Sequence, residues 1–93
     1  MEGDLWHVLA GTRGAATRAE ILAAIHEQPR NANQLAEVLG YDYSTIRHHL
    51  AVLGDHDVVE SAGDGYGNVY LPTESVRAEW KLVEEILESV EEG

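Results

Sequence analysis

Glycine and proline divide this chain into short segments, which limits it to short helices and strands. Three apolar stripes at helical spacing occupy the first 56 residues, after a brief stripe that stops at Gly11. Two runs rich in β-branched and aromatic residues follow at 58–61 and 68–71, and a glycine-dense loop lies between them. An amphipathic segment follows Pro72. The order predicts a short helix, three major helices, a hairpin and a last helix.

Local signals mark where the predicted helices begin and end. The candidate N-caps, in chain order, are Thr17, Asn31 or Asn33, Asp42 or Ser44, and Thr73 or Ser75. Gly40 stands where a left-handed residue ends a helix. The third major helix is predicted over about 43–56, the hairpin over about 58–71 and the last helix over about 74–91. We therefore predict a mainly α chain with a small β-hairpin (α+β), a winged helix-turn-helix with helical extensions at both ends. With 93 residues it forms one domain, residues 1–93.

The charge is strongly and unevenly acidic. Seventeen acids face six bases, which gives a net charge of −11. Residues 13–53 are neutral, whereas residues 54–93 carry eleven acids and two bases. An acidic surface disfavours a polyanionic partner, so any contact with an anion is predicted in the neutral middle. We interpret the acidity first as adaptation to a cell that keeps a high salt concentration inside, because salt screens self-repulsion.

Several function classes are disfavoured by composition. The chain has no Cys, and therefore no thiol nucleophile or Cys-ligated zinc. No apolar run reaches the ~18–20 residues of a membrane span, and the first four residues carry acids where a secretory signal carries Lys or Arg. We predict a cytoplasmic protein with no membrane partner. No serine stands in a nucleophile motif, so we predict that the protein is not an enzyme. We also predict that it has no cofactor and no evident small-molecule effector.

A histidine-rich segment in the second half of the third major helix suggests a possible metal site. Its candidate ligands are His48, His49, Asp55, His56 and Asp57. No two of the histidines have the i,i+4 spacing of helical zinc sites, and His48 and His49 point about 100° apart. We therefore predict a solvated helix end and no metal site.

The third major helix carries the strongest functional signal. Ile46, Leu50 and Leu53 define its buried stripe, at about 100° per residue. The opposite, outward face of its first half is small and polar, and consists of Ser44, Thr45, Arg47 and His48. A recognition helix needs such a face, because its first turns enter the major groove of DNA. An ordinary solvated face is the alternative; the preceding helix, the tight turn and the hairpin favour DNA.

Arginines supply the candidate contacts to DNA. Arg47 can contact a guanine or a phosphate, and its place in the first turns of the helix favours the base. Arg13, Arg18 and Arg30 are weaker candidates for phosphate contacts.

The last helix has an apolar seam that predicts dimerisation. Its members, spaced by 4, 3, 4 and 3 residues, are Val76, Trp80, Val83, Leu87 and Val90. This spacing is typical of a coiled coil. We expect the seam to face a second copy of the chain, with help from Leu5, Trp6 and Leu9. Packing of the same helix on its own domain is the alternative.

The stretch from Asn33 to Glu60, NQLAEVLGYDYSTIRHHLAVLGDHDVVE, resembles the winged helix-turn-helix of ArsR-type archaeal transcriptional regulators. The AGTRG of residues 10–14, the PRNANQLA of residues 29–36 and the VYLP of residues 69–72 are similar to the small haloarchaeal members. The resemblance implies a dimeric DNA-binding regulator, with Ser44, Thr45, Arg47 and His48 at recognition-helix positions. Unlike the metal-sensing members, this chain has no Cys pair on that helix, and its wing tip carries Asp64 and Tyr66 without Arg or Lys.

Two hypotheses about function follow. The first is a homodimeric regulator of transcription that binds double-stranded DNA in a sequence-specific manner. The alternative is an acidic winged-helix module that binds another transcription or replication protein with little contact to DNA. Convergence of Arg13, Arg18, Arg30 and Arg47 on one face would favour DNA, and scatter would favour the alternative.

Overall fold

The computed structural model describes Leu9, residues 14–63 and residues 68–92, with side chains up to residue 89. Five helices and two strands lie in these residues, in the order α1 (Ala15–Glu27), α2 (Ala32–Leu39), α3 (Tyr43–Asp55), β1 (Val59–Ala62), β2 (Val69–Pro72), α4 (Glu74–Ala78) and α5 (Trp80–Glu92). The strands form an antiparallel hairpin. The predicted sequence of helices, hairpin and final helical segment is confirmed from α1 onward.

Helix α1 is the centre of the core. It packs against α2, α3, α5 and β2. Its inward side chains Ile21, Leu22 and Ile25 are at most 1% exposed. Burying one such side chain contributes about 1.5–3 kcal/mol, and one shared core therefore holds all these elements together.

The ends of the helices are set partly by local sequence and partly by packing. Asn31, one of the two predicted caps, forms a reciprocal capping box with Gln34 at the start of α2, and Gly40 ends the helix at φ 77°, as predicted. Helix α1 begins two residues before the predicted cap Thr17, after Gly14 at φ 84°, and no side chain caps it. The prediction for Thr17 is wrong because contacts beneath α3, described below, fix this end.

The hairpin lies one residue later in the chain than predicted, and it is tied to the loop before α2. Val59 pairs with Pro72 and Ala62 with Val69. On the side of β2 that faces away from β1, Tyr70 exchanges two backbone hydrogen bonds with Arg30, of 3.3 and 2.7 Å. The wing tip, with Asp64 and Tyr66, lies outside the described residues.

The C-terminal segment consists of two helices, whereas one was predicted. Thr73 caps α4 by accepting a hydrogen bond from the Val76 N–H, and the helix ends at Ala78. Glu79 interrupts the helical path with φ −106° and ψ 26°, and α5 begins at Trp80. Val76 and Trp80 therefore belong to different helices, and the predicted seam is not continuous.

The structure corrects part of the predicted dimer interface. Leu9, Val76 and Val83 have no exposed surface, because they pack into the core of their own chain. They cannot also contact a partner. Helix α5 packs on α1, as in the alternative considered for this seam.

The remaining members of the seam have different surroundings. Trp80 is partly exposed and stacks on His26 of α1, with ring centroids 3.5 Å apart and planes 6° apart. Leu87 is partly buried and keeps some surface open to solvent. Leu5, Trp6 and the side chain of Val90 lie outside the described residues. A contact between copies can therefore use only part of the predicted set.

Candidate nucleic-acid interface

The first half of α3 presents the predicted polar face. Ser44, Arg47 and His48 are exposed, and Thr45 is partly buried on the flank. Ile46, Leu50 and Leu53 lie in the core on the other side. The helical rotation inferred from the sequence is thus the observed one. The arrangement leaves three side chains on one outward face without a role in the core.

The turn before α3 fixes the direction of this helix. The N–H groups of Gly40 and Tyr41 both donate to the carbonyl of Ala36, at 2.9 and 3.1 Å. The Tyr41 hydroxyl donates to Glu20 on α1 at 2.8 Å. Helix α3 therefore starts from a turn that is held by the helix before it and by the central helix.

Beneath α3, a buried arginine and a buried histidine meet. Arg18 is 4% exposed and His49 is 8% exposed. The Nη1 of Arg18 lies 3.2 Å from the Nδ1 of His49. A guanidinium can only donate, so Nδ1 must be the acceptor and the imidazole is neutral, with its proton on Nε2. This contact joins the underside of α3 to the first turns of α1.

The burial of Arg18 corrects its predicted role. A phosphate contact needs a guanidinium that reaches the surface, whereas this one lies below α3. Burial lowers the pKa of Arg18 from its usual range. Arg18 is therefore a structural residue that supports the outward-facing helix.

The contact with Arg18 makes the stability of the fold depend on pH. Burial, Arg18 and His48 lower the pKa of His49 below its usual 6.5. Between the lowered pKa of the folded chain and 6.5, the unfolded chain therefore binds more protons than the folded chain. The contribution of His49 to stability is complete above about pH 6.5 and is lost as the pH falls through the pKa of the folded chain. Urea unfolding of wild type across pH 4.5–8 should show this decline. His49→Gln, which keeps an acceptor and does not titrate, should remove the part due to His49. Parallel curves for the two proteins would contradict the assignment.

Arg30 stabilises the end of α1. Its Nε donates to the carbonyl of Ala24 at 3.1 Å, and its Nη2 pairs with Glu27 at 3.2 Å. The side chain is 13% exposed. These contacts satisfy a carbonyl at the helix C-terminus, where a cation is favoured. The predicted phosphate contact of Arg30 stays a prediction, as does that of Arg13, which lies outside the described residues.

Arg47 lies beside the wing. Its Nη1 donates to the hydroxyl of Tyr70 at 3.2 Å, across 23 residues of sequence. Next to this pair is a polar pocket of about 150 Å³ between the start of α2, the start of α3 and β2. Its lining residues are Asn31, Ala32, Asn33, Tyr43, Arg47, Asn68 and Tyr70.

Sequence patterns alone do not identify Tyr43, Asn68 or Tyr70 as site residues. A usable signal is present in the second strand, since Asn68 and Tyr70 are two positions apart and therefore share a face. The sequence does not show which part of the fold that face contacts. It is set by the packing of the hairpin beside α3.

The described arginines do not converge on one face. Arg18 lies under α3, Arg30 turns toward α1, and only Arg47 stands at the polar pocket. By the criterion derived from the sequence, this scatter favours the alternative function. Nor do three or more His, Asp or Glu side chains come together to hold a metal ion in the part of the chain described.

Comparison with known proteins bears on the helix-turn-helix and on the fold. The family described as "Bacterial regulatory protein, arsR family" matches residues 16–61, which run from α1 into β1. A solved structure of a mutant of ZitR from Lactococcus lactis is similar, with 20% identity and a TM-score of 0.59. The match covers 82% of this chain and 57% of the ZitR chain, so this chain spans little more than half of that protein.

Two further results concern curated proteins and membrane-spanning helices. None of the curated proteins matches the sequence. Among the described helices, none is long and apolar enough to cross a membrane. The likeness to ZitR confirms the predicted winged helix-turn-helix fold. The family match identifies residues 16–61 as an ArsR-family helix-turn-helix domain.

Proposed function

We propose that this protein is a homodimeric regulator of transcription, without catalytic activity, that binds double-stranded DNA in a sequence-specific manner. The observation that carries the proposal is the outward face of α3. Ser44, Arg47 and His48 are exposed on a helix whose opposite side is fixed by the core and by Arg18. Such a helix can enter a major groove without distortion of the domain.

The residues on this face suit different parts of DNA recognition. Ser44 is short and lies in the first turn of α3, where its hydroxyl can approach a base edge or a phosphate closely. His48 is one turn further along and can reach the next base pairs, with Thr45 on the flank. The arsR-family match over α1, α2 and α3 supports this use of the helix.

Dimerisation is part of the proposal because one recognition helix reads few base pairs, whereas a two-fold dimer reads two half-sites. Leu87 and Trp80 keep exposed apolar surface on α5. We place a contact between copies on this side of the helix. The net charge of −11 supports a salt-rich archaeal cytoplasm as the working environment.

A second function is favoured by the scatter of the arginines and by one apolar surface. An apolar groove of about 610 Å³ lies between α1, the end of α2 and α5, and includes Ala23, Val38 and Leu87. Val38 is 57% exposed. A module that binds another transcription or replication protein could use this groove and the acidic surface.

Binding to DNA decides between the two functions. We expect footprints at discrete sites when the protein is mixed with genomic fragments at two KCl concentrations. His48→Ala should weaken binding to such a site by about 1–3 kcal/mol, because it removes a side chain at the base edges. Asp55→Ala is the matched control, since Asp55 is exposed at the far end of the same helix.

The control variant should bind at least as well as wild type. Melting curves of both variants should match wild type, because both positions are exposed. Absence of a footprint at either salt concentration, or equal binding of wild type and His48→Ala to every sequence, would support the protein-binding function.

A further inference from the structure

We infer that the polar pocket at the junction of α2, α3 and β2 holds one backbone phosphate of DNA, and that Arg47 is its main ligand. This inference rests on the proposed binding to DNA and specifies what one part of the interface contacts. It reverses the preference for a base contact that the position of Arg47 in the sequence suggested. The reason is the hydrogen bond from Arg47 to Tyr70.

The hydroxyl of Tyr70 determines where the guanidinium lies. Tyr70 belongs to β2, and its backbone is held by two hydrogen bonds to Arg30. Its side chain also packs against the core, so the hydroxyl is held at the wing side of α3, where it accepts from Arg47. An arginine that donates one N–H to it is turned toward the pocket and away from the helix axis. Its other N–H groups remain available there, in a fork that suits phosphate oxygens.

The pocket supplies further hydrogen-bond donors. The capping box of α2 uses the N–H groups of Asn31 and Gln34, at 2.8 Å each. The N–H groups of Ala32 and Asn33 belong to the same first turn, where a helix offers no internal acceptors. Both residues line the pocket, and so does Tyr43, whose hydroxyl can donate. The positive end of the α2 dipole adds to the attraction for an anion.

Asn68 gives the pocket an adjustable group. Its Oδ1 is buried and has no hydrogen-bond partner. A half-turn of the amide would present Nδ2 instead, with no hydrogen bond to lose. Asn68 lines the pocket, so its amide can supply an N–H group to an anion there.

The absence of acids among the lining residues distinguishes this pocket from the apolar groove, whose lining includes Glu20 and Glu27. The lining of the pocket contains one cation and no carboxylate, on a chain with a net charge of −11. A recess lined mostly by polar groups suits the protruding oxygens of a phosphate better than a flat base edge. Arg47 therefore fixes the register of the protein on the duplex, and the sequence is read by Ser44 and His48.

A scan with neutral phosphates tests the inference. Each phosphate of a footprinted site is replaced in turn by a methylphosphonate, and affinities are measured for wild type, Arg47→Ala and Lys81→Ala. We expect wild type to lose roughly tenfold at one position per half-site, as for a hydrogen bond to a charged group. Arg47→Ala should bind unmodified DNA roughly tenfold more weakly and be insensitive at that position, with a salt slope lower by about one.

Two variants separate the pocket from general effects of charge. Lys81 is an exposed cation on α5, so Lys81→Ala should keep the methylphosphonate profile of wild type. Tyr70→Phe keeps the ring and removes the hydroxyl, and should weaken binding about two- to tenfold in wild type but not in the Arg47→Ala background. Melting curves should be unchanged for Arg47→Ala, because the side chain is exposed.

The outcomes are distinguishable. If wild type binds no DNA, the proposed function fails and the phosphate site fails with it. If wild type binds and Arg47→Ala alters the preference at one base pair while keeping its sensitivity to every methylphosphonate, Arg47 reads a base and only this inference is overturned.

Discussion

Gly14→Ala should lower the free energy of unfolding by about 2–5 kcal/mol, a large loss for replacing one hydrogen atom by a methyl group. Gly14 has φ 84°, which is unfavourable for any residue with a Cβ. An added Cβ would also lie 2.7 Å from Cε1 of His49 and 3.2 Å from Nη1 of Arg18. These are the two side chains that support α3, so neither can move without opening that contact.

Gly40→Ala is the matched control for this experiment. Gly40 has a similar φ of 77°, but nothing lies within 4 Å of an added Cβ. It should therefore show only the backbone cost, about 1–2 kcal/mol. Urea denaturation followed by circular dichroism measures both variants. Equal losses at the two positions would mean that the space beside His49 can adapt.

Ile86→Ala should destabilise the fold by about 2–5 kcal/mol, the usual range for truncating a fully buried isoleucine. Ile86 is 0% exposed and belongs to the core cluster centred on α1. The loss should affect the folding stability of each chain and leave the sedimentation coefficient unchanged. Leu87 is the neighbour that packs against the core and also keeps exposed apolar surface, so Leu87→Glu should give monomers, with a smaller loss of intrinsic stability than Ile86→Ala.

Sedimentation velocity and urea unfolding at two protein concentrations separate these outcomes. A dimer that survives Leu87→Glu would remove this side of α5 from the proposed interface. An Ile86→Ala variant that falls apart into folded monomers would show that Ile86 faces the partner and not its own chain.

The parts of the fold that sequence predicts well are those set by neighbouring residues. The cap of α2, which the sequence narrows to Asn31 or Asn33, and the left-handed Gly40 depend on only a few neighbouring positions, and Asn31 and Gly40 are observed in these roles. The buried stripe of α3 follows from rotation in the same way. The start of α1 at Gly14 depends on His49, a residue more than thirty positions away, and no local signal marks it.

The same distinction between local and long-range contacts applies to the candidate site. The outward placement of Ser44 and His48 follows from the helix period alone. Burial of Arg18 could not be anticipated, because arginine is almost always exposed unless a partner accompanies it, and His49 lies 31 residues away. The contact of Arg47 with Tyr70 likewise requires knowledge of how the hairpin packs.

The pairing of Arg30 with Tyr70 also bears on how this protein avoids aggregation. A two-stranded sheet has two open edges, and each can template the addition of a strand from another molecule. Both backbone groups of Tyr70 that point away from β1 are occupied by Arg30, so the middle of the β2 edge is blocked. Among the described residues, no strand pairs with the outer edge of β1, and that strand is four residues long and carries Glu60, whose charge discourages pairing. The loop before α2 thus protects the middle of the β2 edge from pairing with a strand of another molecule.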